Sequence, residues 1–130
     1  MRRFLLLFSV AGLVLLTACA TGALAVHNGA GKVVGSISVQ GTRAAAFLGS
    51  QGNIRGRVRG NVVRDDAGKN LGTIEEQGGH TVILDPKENA LGTLEHGTDC
   101  YGKGQEKLGS VTAEAEASVA AAACLVFFLR

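Results

Sequence analysis

The stretch VRDDAGKNLGTI, residues 63–74, holds in miniature most of what the chain is built from. An apolar residue, Val63, is followed two positions later by Asp65, a residue that favours turns. A short polar loop comes next, then a second run carrying Gly72 and, two beyond it, Ile74. Two apolar runs separated by turn chemistry predict a β-hairpin. The same arrangement recurs four times: VHNGAGKVVGSI at 26–37, FLGSQGNIRGRV at 47–58, ILDPKENALGTL at 83–94 and CYGKGQEKLGSV at 100–111. The copies align on Gly35, Gly56, Gly72, Gly92 and Gly109, spaced by 21, 16, 20 and 17 residues. Two residues after each glycine stands an aliphatic: Ile37, Val58, Ile74, Leu94 and Val111. Nine before it stands Val26, Phe47, Val63, Ile83 or Cys100, and seven before it Asn28, Gly49, Asp65, Asp85 or Gly102.

With a four-residue loop, Asp65 to Gly68, Arg64 is expected to face Lys69 and Val63 to face Asn70. Strand alternation then places Val63, Gly72 and Ile74 on one face. The other face carries Val34, Arg55, Leu71, Leu91 and Leu108, of mixed polarity and half wet. A loop one residue shorter or longer would invert the two faces. A glycine repeated on the inner face implies that something presses on the backbone there.

A lone hairpin is marginal in water, so five must share a core. The tail TAEAEASVAAAACLVFFL, residues 112–129, can fill it. Its seven alanines, with no glycine or proline, predict a helix over about 113–129. Thr112 is the expected N-cap, with Glu114 and Glu116 in the first turns, where negative charge suits the helix dipole. Apart from Cys124, Val119–Leu129 has no polar side chain, and a helix apolar all round is a buried one. Small alanines are expected to admit the glycine-faced strands. The rival reading inserts the tail in a membrane, but the apolar part spans only about 16 Å, half a hydrocarbon core.

Five glycine-marked hairpins followed by an alanine-rich apolar tail resemble the small bacterial β-flower proteins of the five-fold kind. The resemblance covers roughly residues 26–111 and implies a mainly β fold: five short hairpins around a pseudo-symmetry axis, with the C-terminal helix buried at the centre. The group implies no biochemical activity. Two departures stand out: Arg55 replaces the Val or Leu of other copies, and the fifth copy lacks Asn or Asp at its turn.

At the other end, Arg2 and Arg3 precede an apolar run from Phe4 to Leu16, the pattern of a secretory signal. Leu16-Thr17-Ala18-Cys19 resembles the lipobox of bacterial lipoproteins. That resemblance implies a signal peptide over 1–18, a diacylglyceryl group and often a further acyl chain such as palmitate on Cys19, and a short lipidated tether over 19–25. The alternative is an ordinary signal cut near Ala18 or Ala20. Ala20, where an Asp would mark inner-membrane retention, implies the outer membrane. The expected domains are then the hairpin repeats, 26–111, and the packed helix, 112–130.

Without Arg2 and Arg3 the cations and carboxylates balance at 11 each, which removes the electrostatic case for nucleic acid. Arg55, Arg57, Arg59 and Arg64 form a local basic cluster, read as the wet face of a strand or as a patch for anions or lipid headgroups. Cys100 and Cys124 could pair in an oxidising compartment. Gly29–Gly35 mimics a phosphate loop but misses its register. His27, His80 and His96 are scattered, and the adjacent carboxylates Asp65-Asp66 and Glu75-Glu76 point to opposite sides of a strand. No catalytic, cofactor-binding or metal-binding residue is assigned, and no enzyme is expected.

The chain reads instead as a tethered structural or interaction module of the cell envelope. Its expected partners are the membrane, through the N-terminal lipid, and an envelope protein met by the loops Gln40–Ala44 and Glu75–Thr81. The alternatives are a membrane-active tail and a small-ligand or metal binder using loop histidines and carboxylates.

Overall fold

The computed structural model describes residues 24–112 and 114–130. The expected signal, Cys19 and most of the tether lie outside the described residues. Ten antiparallel strands form five hairpins, here called petals 1 to 5. Petal 1 is β1 (Leu24–Asn28) and β2 (Val33–Gly41), and petal 2 is β3 (Ala44–Gly49) and β4 (Ile54–Arg59). Petal 3 is β5 (Val62–Asp65) and β6 (Asn70–Gln77), and petal 4 is β7 (His80–Leu84) and β8 (Ala90–Glu95). Petal 5 is β9 (Asp99–Gly102) and β10 (Lys107–Val111). Every strand pairs with its chain neighbours, and β1 pairs with β10 through Val26↔Val111, His27↔Ser110 and Asn28↔Gly109. The sheet is therefore a closed barrel, which leaves no strand edge unpaired among the described residues. The hairpin loops gather at one end, the tip. The connections between petals and the start of β1 lie at the other, the base.

All five tip loops share one geometry, and it differs from the four-residue loop expected. In petal 3 the N–H of Asp65 donates to Lys69 O at 2.9 Å, and that of Gly68 to Asp65 O at 3.1 Å. The loop is thus three residues long, closed by Asp65 and Lys69, with the fourth turn residue left-handed. Gly31, Gly52 and Gly68 hold that position with φ of 84°, 86° and 89°, while Glu88 and Gln105 hold it with φ of 70° and 66°. The Asx side chain satisfies the loop: Asp65 Oδ1 accepts from the N–H groups of Ala67 and Lys69, and Asn28 and Asp85 do the same in their own petals. Where the first turn residue is glycine, the space its side chain would need is taken by Asn53 or Glu106 from the far end of the loop.

A three-residue loop should have turned the glycines outward. A β-bulge in each petal reverses this, at Val34, Arg55, Leu71, Leu91 or Leu108. In petal 3 Arg64 pairs with Asn70, but Val63 then pairs with Gly72 rather than with Leu71. The two one-residue offsets cancel, so Val63, Gly72 and Ile74 all point inward and are buried. The bulged residues are half-buried, as their mixed, half-wet reading expected, and Val34, Leu71 and Leu91 pack against the core. Arg55 fits the same place by laying its guanidinium 5.6 Å from the centre of the Phe127 ring, a cation–π contact.

The tail fills the barrel from the base upward. A helix, α1 (Ala117–Cys124), is followed by a π-helical turn, Leu125–Leu129. Ser118 to Val126 are buried. The helix starts later than expected. Thr112 is no cap, since its Oγ1 accepts from the N–H of Ala25 at 2.8 Å and donates to Ala25 O at 3.1 Å, tying β1 to the end of β10. Glu116 is the N-cap residue, without a capping side-chain bond, because its carboxylate instead accepts from the N–H of Arg43 at 2.9 Å. Cys124 is disulfide-bonded to Cys100 in β9, with Cα atoms 5.6 Å apart.

The glycines do not meet the alanines. Each meets one residue of the π-helical turn: Gly72 lies against Leu125, Gly56 against Val126, Gly35 against Phe127, Gly109 against Phe128 and Gly92 against Leu129. Consecutive residues thus visit petals 3, 2, 1, 5 and 4, one step around the ring each time. A five-fold wall repeats every ~72°, whereas an α-helix advances about 100° per residue. The wider i→i+5 ring unwinds the coil toward the spacing of the wall. That match accounts for a π-helical turn at this place.

Candidate functional site

Because the tail occupies the lumen, two grooves among the described residues lie on the outer wall, on different petals. The larger, about 630 Å³, runs across β7, β8 and β9. Its floor is a row of side chains in register, Val82 opposite Thr93 and Thr93 opposite Tyr101. Gln77, His80 and Glu95 close its base end, and Lys103 and Gln105 its tip end. His80 Nδ1 lies 3.4 Å from Glu95 Oε1. Beside the groove, Asp99 is approached by His96 Nδ1 at 3.7 Å and Lys107 Nζ at 3.5 Å. An aromatic ring and an aliphatic floor, edged by groups that donate and accept hydrogen bonds, can hold a partner surface or a polar ring with one apolar face.

The second groove, about 370 Å³, lies between petals 2 and 3 and is lined by Arg57, Arg59, Val62, Arg64, Asp65 and Gly68. Alternation along β4 sends Arg57 and Arg59 outward while Gly56 and Val58 point in. In register, Arg57 sits opposite Arg64 and Arg59 opposite Val62.

The structure brings some of the expected residues together and separates others. Of the basic cluster, Arg57, Arg59 and Arg64 share this groove, while Arg55 belongs to the packing around Phe127. Both contact loops named from the sequence lie at the base. Glu75–Thr81 contributes Gln77 and His80 to the larger groove, and Gln77 Nε2 donates to Glu75 Oε1 at 2.6 Å. In Gln40–Ala44, Arg43 takes a left-handed turn with φ of 56°. The N–H groups of Ala30 and Lys32, in the phosphate-loop mimic, are engaged by Asn28 Oδ1. Asp65 and Asp85 serve the tip turns, and the N–H groups of Lys69 and Asn89 are the main reason their carboxyls titrate below the usual value. Among the described residues no group of three His, Cys, Asp or Glu is placed to hold a metal ion, and no helix is long and apolar enough to cross a membrane. The larger groove was not legible from the sequence; Val82, Thr93 and Tyr101 meet only through pairing across three strands.

Comparison with known proteins yields no matching family model, no similar curated protein and no similar solved structure.

Proposed function

We propose that this protein is a non-enzymatic interaction module of the bacterial envelope, held to a membrane by lipid on Cys19. It meets an envelope protein through its outer wall, with the groove over β7–β9 as the contact face. One observation carries the reading: the chain fills its own lumen with Ser118–Val126, so ligand contacts fall to the wall. The same burial supports a packed tail over a lipid-inserted one. The anchor also gives the wall an orientation. Leu24 starts β1 at the base, and it lies five residue steps along the chain from Cys19, a reach of at most about 18 Å. The base then faces the membrane, the tips point away, and the groove stands upright on the side.

Cells making the full chain test this with a clickable palmitate analogue and a photoreactive residue. The wild type is expected in the membrane fraction with label, and Cys19→Ala unlabelled and released. A photoreactive residue at position 93 is expected to give one discrete protein adduct, and the same residue at exposed Ile54 none. Label surviving Cys19→Ala refutes the anchor. Identical behaviour at the two positions refutes the contact face.

A further inference from the structure

The cations of this molecule are sorted by type. Beyond the N-terminal segment the arginines are Arg43, Arg55, Arg57, Arg59, Arg64 and Arg130, with none between residues 65 and 129. Elsewhere the positive charges are lysines, most of them on the petal tips: Lys32, Lys69, Lys87 and Lys103. Arginine offers a planar fork of donors that fits the oxygens of a phosphate, while lysine offers a single mobile charge.

Three of these arginines converge in a way that sheet stability does not require. Arg57 and Arg64 are directly opposed across β4 and β5, with Arg59 next along the same exposed face. Like charges directly opposite destabilise a strand pair, and a carboxylate at either position would relieve them. Among the described residues, no carboxylate lies within 4.0 Å of any of the three guanidinium groups. The acid lining this groove, Asp65, has Oδ1 occupied by the N–H groups of Ala67 and Lys69. Arg64 Nη1 donates to Gly68 O at 3.4 Å, which steadies its guanidinium at the tip end and leaves its other donors available. The result is a groove of about 370 Å³ with guanidinium groups on both walls.

We propose that the groove between petals 2 and 3 is a binding site for a phosphate group, clasped by Arg57 and Arg64 from opposite strands, with Arg59 at its base end. A soluble phosphate compound and the headgroup of an anionic phospholipid share this chemistry. The site does not depend on the anchor at Cys19 or on the β7–β9 groove, so it stands or falls separately from the proposed function.

The test uses the full chain in maltoside micelles. Inorganic pyrophosphate is titrated in one arm and dihexanoyl phosphatidylglycerol in the other, read by the NMR signals of the arginine Nε–H groups. Saturable shifts at Arg57, Arg59 and Arg64 are expected. Arg57→Gln/Arg64→Gln should weaken binding at least about ten-fold, because charge-assisted hydrogen bonds are lost. Lys32→Gln/Lys87→Gln, which removes the same charge from other tips, should leave binding within about two-fold. Saturation by both probes supports recognition of phosphate itself, and saturation by the lipid alone supports the site and assigns a headgroup as its source. No saturable shift with either probe overturns the proposal, as does equal weakening by the lysine pair. Arg59→Gln, at one exposed side chain, repeats the comparison should the double variant fail to fold.

Discussion

The two halves of the buried tail solve one packing problem in opposite ways. Toward the base, α1 is thin, mostly alanine, and shares the buried core with the bulky wall residues Ile37, Val58, Ile74, Leu94 and Val111. Toward the tip the tail is bulky, LVFFL, and the wall is thinned to glycine where each of these residues presses on it. Volume is therefore conserved along the axis while its owner changes, wall first and tail second. Interiors are packed to near-crystalline density, so each half tolerates little change in either partner. Cys124, bonded to Cys100, sits at the junction. A five-fold wall offers the coil five similar rotational settings. Only petal 5 carries a thiol at the position held elsewhere by Val26, Phe47, Val63 and Ile83, so the bond selects one setting.

Breaking the tip half should cost most. At Gly72 φ is +150°, and a Cβ there would run into Leu84 O and approach Leu125. Gly72→Val is expected to lose about 4 kcal/mol or more in urea denaturation, combining backbone strain with a steric clash. Leu125→Ala, which empties the matching space, should cost about 3 kcal/mol. Overfilling the base half by Ala122→Leu should cost about 2 kcal/mol, with the larger loss expected for Gly72→Val. Removing the bond by Cys100→Ala/Cys124→Ala should cost about 3 kcal/mol and, unlike the packing variants, should broaden the Phe127 and Phe128 NMR signals as rotational settings mix.

Outside the core the effects shrink and one changes sign. Glu88 holds the left-handed turn position that Gly31, Gly52 and Gly68 occupy elsewhere, so Glu88→Gly should stabilise by up to about 1 kcal/mol. The smallest effect is with acid. Asp65 and Asp85 titrate below their ordinary 3.8, so their contribution is present above that value and is lost as pH falls through the lower folded value. Asn keeps the turn acceptor, as Asn28 shows in petal 1, so Asp65→Asn/Asp85→Asn should flatten the melting temperature against pH below about 4.

How far the sequence could be read follows the same division. Repetition and hydrophobicity are local, so five hairpins and a buried tail were legible from Val26 to Val111 and from Val119 to Leu129. The pairing of partners was not. Glycine was assigned to alanine because both are small, whereas the wall needed glycine opposite Leu125–Leu129, the bulkiest stretch of the tail. The three-residue loop and the bulge at Leu71 were both missed, and they cancelled. Arg55 looked like a departure at the position before the repeat glycine and is explained only once Phe127 lies beneath it. Thr112 looked like the cap and Glu116 like a first-turn acid, but closure of the barrel brings Ala25 and Arg43 to them first. Such pairings depend on where the ring closes, which no local pattern records.

The stepwise fit of Leu125–Leu129 bears on how such rings can evolve. One coil of peptide has a nearly fixed girth. A ring of six blades would widen the hub beyond what a single coil can touch, and a ring of four would leave it no room. A family of such wheels that gains or loses a blade would thus have to exchange its axle in the same event. Duplicating a hairpin, ordinarily an easy genetic step, is disfavoured here by the width of the chain itself.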